Sequence, residues 1–313
     1  MSGSKFPPLW AIPKLLTTLP RMTWYRWRKN YIASMAAARE IFGSAKIKTR
    51  GFRGYTPSKH DAFVCTYSKS GTYWMMQIVT QIAGKGSAEF EHIHDIVPWP
   101  EMPVPGPVRL PAPTWQTAVT QIRAIKTHAE AEFVPYNKAA KYIVVMRDPK
   151  DVVVSSFYFS EAILPGTASL GREKWVALFL SNQTPYGSWP EHTAGFWPWR
   201  ERDNVHIVTF AALKQDLAKE VATIAAFLEV DLDQQELAQV VERSSFAYMK
   251  KHEAKFEPPA PTKNGTNLIR KGKKGESAEF LTAAQRQQID EAMRTQLQTF
   301  GSDFPYDDYF ASD

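Results

Sequence analysis

Residues 61–74 read DAFVCTYSKSGTYW. The apolar run from Ala62 to Tyr67 predicts a buried strand, and Tyr73 to Val79 opens a helix. Between them lies a short loop, Ser68-Lys69-Ser70-Gly71-Thr72. A strand that turns through such a loop into a helix N-terminus is an oxyanion site, because unpaired backbone N–H groups and the positive helix end converge there. Lys69 adds a full charge, and Ser68, Ser70 and Thr72 add hydroxyl donors. A P-loop places its lysine after the second glycine of GxxxxGK[ST]. Here Lys69 precedes Gly71, the loop's only glycine, so an NTPase reading needs an unusual loop, and a turn that merely contains polar residues is the competing reading.

Working outward, Lys141 to Met146 (KYIVVM) is a second strand, apolar enough for the centre of a parallel sheet. Arg147-Asp148-Pro149-Lys150-Asp151 follows it, then a helical stretch from Val152 to Phe159. Thr117 to His128 is a further strand candidate that sets Ala124, Lys126 and His128 on one face. Asn204 to Phe210 is another. Helices are expected over 211–228, 233–243 and 282–300, the last capped by Thr282. Strands alternating with helices predict an α/β protein, a three-layer fold with a central, mostly parallel sheet flanked by helices. Seven prolines in residues 97–113 exclude helix or interior strand and predict a rigid extended loop, either a connector or the lining of a site.

The chain has 313 residues, 44% of them hydrophobic, enough for a substantial core. Its one cysteine, Cys65, cannot form an internal disulfide and sits within the first strand; a reducing, cytoplasmic setting fits. No apolar run approaches the roughly 18–20 residues that cross a bilayer, and prolines interrupt any signal-peptide core. Residues 1–60 carry twelve Lys/Arg against one acid, Glu40, a net +11, whereas the rest carries 26 cations against 31 acids, a net −5. Within that basic region Trp24, Trp27, Tyr31, Met35, Ala38 and Phe42 form one stripe of an amphipathic helix. This divides the chain into a basic, aromatic-rich arm and helix (1–44) and a main domain (45–313). Two readings stay open for the arm: a helix packed on the core, or a peripheral contact with an anionic membrane surface. No nucleic-acid recognition motif accompanies the charge, so nucleic acid is not an expected partner. The histidines are scattered, with His92 and His94 read as loop residues, and no metal is expected.

Four segments, in order, resemble the cytosolic-type sulfotransferases that use 3′-phosphoadenosine 5′-phosphosulfate (PAPS). Tyr67 to Trp74 (YSKSGTYW) is similar to the family's YPKSGTTW. Lys126-Thr127-His128 looks like its KTH strand end. Arg147 to Ser155 (RDPKDVVVS) is similar to RNPKDVAVS, with the motif's aromatic end at Phe159. Arg270 to Ser277 (RKGKKGES) is similar to RKGxxGDW. The resemblance covers roughly residues 45 to 300. It implies that Lys69, Ser70, Gly71 and Thr72 hold the phosphosulfate, with Tyr73 next to them. It implies that Arg147, Ser155, Arg270, Lys271 and Gly272 bind the 3′-phosphate, and that Trp74 and Phe246 stack on the adenine near Ser244, Leu268 and Ile269.

The implied reaction is sulfuryl transfer from PAPS, as co-substrate, to a hydroxyl of a small apolar acceptor. His128 is the implied general base, Lys69 stabilises the leaving oxygen, and Lys126 stabilises the sulfuryl oxygens. Trp99, Met102, Trp115, Phe157 and Trp189 are expected to frame the acceptor. The departures are Ser68 for Pro, Tyr73 for the second Thr, Asp148 for Asn, Glu276-Ser277 for Asp-Trp, and Phe210 where the family often has Tyr. The family's C-terminal dimer motif KxxxTVxxxE is absent, so dimerisation by that route is not expected, and the sequence leaves the oligomeric state open. Two other classes compete: a nucleotide kinase or NTPase with an atypical phosphate loop, which lacks a clear Mg²⁺ motif, and a non-catalytic membrane-surface binder, against which intact Lys69, His128, Arg147 and Ser155 argue.

Overall fold

A computed structural model describes residues 4–259, 269 and 276–310. Four parallel strands form its sheet: β1 (Asp61–Thr66), β2 (Arg123–Thr127), β3 (Lys141–Met146) and β4 (Val205–Thr209), in the order β2-β1-β3-β4. The inner strands are apolar on both faces because both faces are covered. Phe63 and Cys65 of β1, with Tyr142 and Val144 of β3, point into one core, while Ala62, Val64, Ile143 and Val145 point into the other. The expected three-layer architecture is borne out. Cys65 is fully buried, and burial pushes its thiol pKa well up.

Before the sheet come α1 (Ile12–Trp27), α2 (Tyr31–Phe42) and α3 (Ala45–Gly51). The stripe from Trp24 to Phe42, expected on one helix, is divided between α1 and α2. Lys29 adopts a φ of 54°, and Asn30 caps α2 by accepting the Ala33 N–H at 3.1 Å. The two helices fold back on each other: Ser34 Oγ donates to Met22 O, and Glu40 pairs with both Lys14 and Arg21. Met35, Ala38 and Ile41 join the core that holds Phe63 and Tyr142, whereas Trp24 and Trp27 stay exposed.

Helix α4 (Thr72–Ala83) follows β1, and α5 (Pro149–Ile163) follows β3. Helices α6 (Gly171–Leu180) and α7 (Trp189–Phe196) join α5 on its face of the sheet. Then come α8 (Phe210–Gln215), α9 (Leu217–Phe227), α10 (Gln234–Arg243) and α11 (Phe246–Lys251) on the α4 face. Asp216 splits the expected 211–228 helix, because its side chain caps α9 at Lys219 N. Helices α12 (Glu276–Phe280), α13 (Ala283–Thr299) and α14 (Tyr306–Phe310) close the described chain. Thr282 caps α13 as expected, within a reciprocal capping box with Gln285.

The strand expected over 117–128 is confined to Arg123–Thr127. Thr114–Thr117 forms a 3-10 turn and Gln121 takes a φ of 56°, which breaks any extended run before β2. Residues 97–113 contain no α-helix or ladder strand, as their prolines dictate. No helix among the described residues is long and apolar enough to cross a membrane.

Candidate active site

The helix after β1 covers one face of the sheet and the helix after β3 covers the other, so the chain diverges between these neighbouring strands. Open parallel sheets bind ligands at such a divergence, beyond the strands' carboxyl ends. The 67–71 loop and Arg147 both lie there, and Arg147 Nη1 donates to Lys69 O at 2.8 Å. A cavity of about 1060 Å³ opens over them.

The loop's shape follows from two left-handed residues. Lys69 has a φ of 69° and Gly71 one of 97°. The first is uncommon for a side-chain-bearing residue and signals a backbone held by its surroundings. At Gly71 a Cβ would come within 2.7 Å of the Phe210 ring, so both conformation and space require glycine. Thr72 begins α4, and its hydroxyl meets that of Thr66 at 2.7 Å. Ser70 is fully buried, and its Oγ has no hydrogen-bond partner among the described residues. Lys69 Nζ rests 3.9 Å from the Phe159 ring centroid.

His128 stands just past β2, fixed on both sides. Its Nδ1 donates to Thr66 O at 2.8 Å, because a carbonyl only accepts. Nε2 is then the ring's unprotonated nitrogen. Its backbone N–H donates to Glu101 Oε1 at 2.6 Å, and the same oxygen accepts the Thr127 hydroxyl at 3.0 Å. Burial, and after it the charge of Lys126, pushes the His128 pKa well down, so the imidazole is neutral near pH 7. Lys126 is itself buried, its Nζ 3.3 Å from the Trp99 ring centroid and 4.5 Å from that of Tyr73. Burial lowers its pKa; the Glu101 carboxylate opposes this and the Lys69 charge adds to it.

Arg147 lies over the Phe210 ring at 4.3 Å and pairs with Asp151 at 3.7 Å. Asp148, where the similar motif has Asn, caps α5 by accepting the Lys150 N–H at 2.8 Å, with Pro149 in the first turn. Either residue serves that capping role, which accounts for the exchange. Burial pushes its pKa up to about 6. Ser155, two turns along α5, lines the cavity. Trp74 Nε1 donates to Ser244 O at 2.7 Å, and the Trp74 ring meets Phe210 edge-on at 5.4 Å. Phe246, half-exposed at the start of α11, lines the same cavity.

The structure therefore gathers Lys69, Gly71, Thr72, Tyr73, Trp74, Lys126, His128, Arg147, Ser155 and Phe246 around one cavity, while Ser70, within the same loop, is fully buried and outside the lining. Tyr73 turns its hydroxyl away from the loop, donating to His94 Nε2 at 3.2 Å, while His94 Nδ1 bonds Val97 O. Arg270, Lys271, Gly272 and Leu268 lie outside the described residues. Trp99 and Met102 line the cavity as expected, but Trp115, Phe157 and Trp189 do not. Trp115 stacks on His60; Phe157 packs on Trp175 and Phe280; Trp189 is buried against Phe304, Tyr306 and Phe310. Two contributions went unread in the sequence. One is Glu101, whose signal is its place as the single acid in the proline-rich loop. The other is the α1–α2 hairpin, which gives Leu19, Met22, Ala38 and Phe42 to the cavity wall.

Comparison with known proteins places this arrangement. The profile of the family described as "Sulfotransferase domain" matches residues 59–301. Mouse sulfotransferase 1B1 is 31% identical over 251 residues, which span 76% of this chain and 82% of that protein. Rat sulfotransferase 2B1 is 32% identical over 259 residues, 79% of this chain and 73% of that protein. The crystal structure of mouse sulfotransferase SULT7A1 complexed with PAP superposes with a TM-score of 0.63 at 25% identity, covering 82% of this chain and 90% of that one.

Proposed function

The chain belongs to the sulfotransferase domain family, and on that premise we propose that it transfers a sulfuryl group from PAPS to a hydroxyl of a small, largely apolar acceptor. One observation carries the reading: the Lys69 loop, the Arg147 guanidinium bonded to it, and a neutral His128 tied to the same strand end all face one cavity. The residues suit a ligand with two anionic groups. Ser70 offers a buried hydroxyl without a protein partner, and Gly71 leaves the loop open where a Cβ would strike Phe210. PAP in the related mouse structure supports the nucleotide assignment.

PAPS supplies an activated sulfuryl group when bound. Lys69, Ser70, Gly71 and Thr72, at the α4 N-terminus, hold the phosphosulfate end, where backbone N–H groups and the helix dipole favour negative charge. Arg147 and Ser155 bind the 3′-phosphate, together with Arg270, Lys271 and Gly272. Tyr73 shapes the loop's far side through His94, and Trp74 and Phe246 flank the adenine. His128 Nε2 takes the proton of the acceptor hydroxyl, its tautomer set by the bond from Nδ1 to Thr66 O. Lys69 stabilises charge on the bridging oxygen that departs, and Lys126 that on the sulfuryl oxygens. The aromatic walls around Lys126 exclude water, which strengthens both effects.

Leu19, Met22, Phe42, Trp99, Met102 and Val104 give the acceptor end an apolar lining. A phenol or lipid-like alcohol fits it better than a sugar. The setting we assign is the cytoplasm, with peripheral membrane contact through the basic arm. The test pairs His128→Ala with calorimetry. The variant is expected to lose turnover and keep PAP binding, and the native protein to bind PAP more tightly than ATP. Stronger binding of ATP, or loss of PAP binding in the variant, sinks the reading.

A further inference from the structure

Six of the twelve large exposed hydrophobic side chains among the described residues fall in the short segment 6–27. Phe6, Leu9, Leu16 and Trp27 are each more than two-thirds exposed, and Trp24 is about half exposed at 54%. Leu9, Leu16, Pro20, Trp24 and Trp27 follow at steps of seven, four, four and three, so they share one face of α1 and the turn before it. The opposite face, Ala11, Leu15, Thr18 and Met22, is already buried. Packing on the core explains that inner face and leaves the outer one unaccounted for. A contiguous apolar face of this kind marks an interaction site.

The segment is not a loose tail folded over itself. Ser4 pairs with Gly106 of the proline-rich loop, Arg109 donates to Phe6 O, and Glu40 of α2 holds Lys14 and Arg21. The stripe is thus presented on a fixed helix. Its charge decides the occupant. Glu40 is the only acid in residues 1–60, and it is engaged with Lys14 and Arg21. Arg28 lies 5.6 Å from the Trp24 ring centroid, and Arg28 and Lys29 are exposed where the stripe ends. A second copy would set like charge against like. A surface of anionic lipid accepts leucine and tryptophan at the acyl boundary and cations at the headgroups.

We propose that the outer face of α1 docks this enzyme on an anionic bilayer. Leu19 is both part of the exposed segment and part of the cavity wall, beside Met22, Thr23 and Arg26. Docking therefore sets the cavity's edge at the lipid boundary, where an apolar acceptor resides; this last step rests on the acceptor reading above.

The experiment uses the full chain with vesicles of phosphatidylcholine alone or mixed with phosphatidylglycerol. The native protein is expected to co-sediment with the mixed vesicles and to be released by salt. The double variant Trp24→Ser/Trp27→Ser, at exposed positions outside the cavity lining, is expected to bind them at least about tenfold more weakly, a loss of about 1.4 kcal/mol. Its PAP affinity and its turnover of a water-soluble phenol are expected to match the native enzyme. Absence of native binding to the mixed vesicles, or binding undiminished in the double variant, overturns the proposal. So does a native oligomer that the variant disperses without any lipid binding. PAP binding and phenol turnover by the native protein test the sulfotransferase reading separately, since vesicle binding needs neither.

Discussion

Glu101 Oε1 accepts the backbone N–H of His128 at 2.6 Å, so an acid from the proline-rich loop fixes where the imidazole at the end of β2 stands. The charge of the same carboxylate opposes the fall in the Lys126 pKa that burial causes. Glu101→Gln preserves an acceptor oxygen but removes the charge. It is expected to keep PAP binding with a modest loss in kcat. Glu101→Ala removes both and is expected to lower kcat by about 100-fold through misplacement of His128. Equal kcat for the two variants would show that Glu101 acts only as fold support.

A second expectation concerns pH. The base proposed above, His128, acts in its neutral form, and burial sets its pKa well below the usual imidazole range. Activity then persists as pH falls through that range and is lost only when the depressed pKa is reached. The acid limb of kcat/KM against pH is therefore expected below the unperturbed value of about 6.5. A limb centred there would mean that His128 is solvated, or is not the base.

The loop's glycine gives a third. Gly71→Ala forces a Cβ to within 2.7 Å of the Phe210 ring at a φ of 97°. The strain costs about 1–2 kcal/mol. PAP affinity, read by calorimetry, is expected to drop more than overall stability, because the loop can relax by moving away from the proposed phosphosulfate position. Adding Phe210→Ala removes the clash and is expected to recover part of that affinity.

A fourth concerns the buried ion pair that ties α5 to the C-terminal helices. Lys150 Nζ is buried and bonds Asp290 Oδ1 at 2.5 Å and Phe310 O at 2.6 Å, while the Tyr306 hydroxyl donates to the same Asp290 oxygen. Breaking a buried pair from one side leaves an uncompensated charge and costs about 3–5 kcal/mol. Lys150→Met is expected to lose stability of that order in urea titrations. Lys150→Met/Asp290→Leu, which removes both charges, is expected to regain much of it.

Where the sequence was legible, local chemistry and tertiary packing agreed. The two-sided apolar run of β1, the helix that opens after the Lys69 loop and the cap at Thr282 each declare themselves in a few residues. Lys69, Lys126, His128 and Arg147 were legible for the same reason, because each sits at a strand end that the apolar runs locate. The division between α1 and α2 was not, since the stripe from Trp24 to Phe42 runs on in helical period through the turn at Lys29. Nor was the aromatic lining of the cavity. Trp115, Phe157 and Trp189 are as aromatic as Trp99, and only the three-dimensional packing separates core from cavity. Glu101 acts through a contact between residues 27 positions apart, which no local pattern encodes.

The burial of Cys65 has a practical consequence. It is the chain's only thiol, enclosed in the central strand and held in its unreactive, protonated form. Maleimide reagents should therefore leave the native enzyme unlabelled. A single cysteine introduced at Trp27 or near Phe246 then carries a fluorophore without any need for a cysteine-free background, so that motion of α1 or of the cavity rim at Phe246 can be followed by one probe at a time.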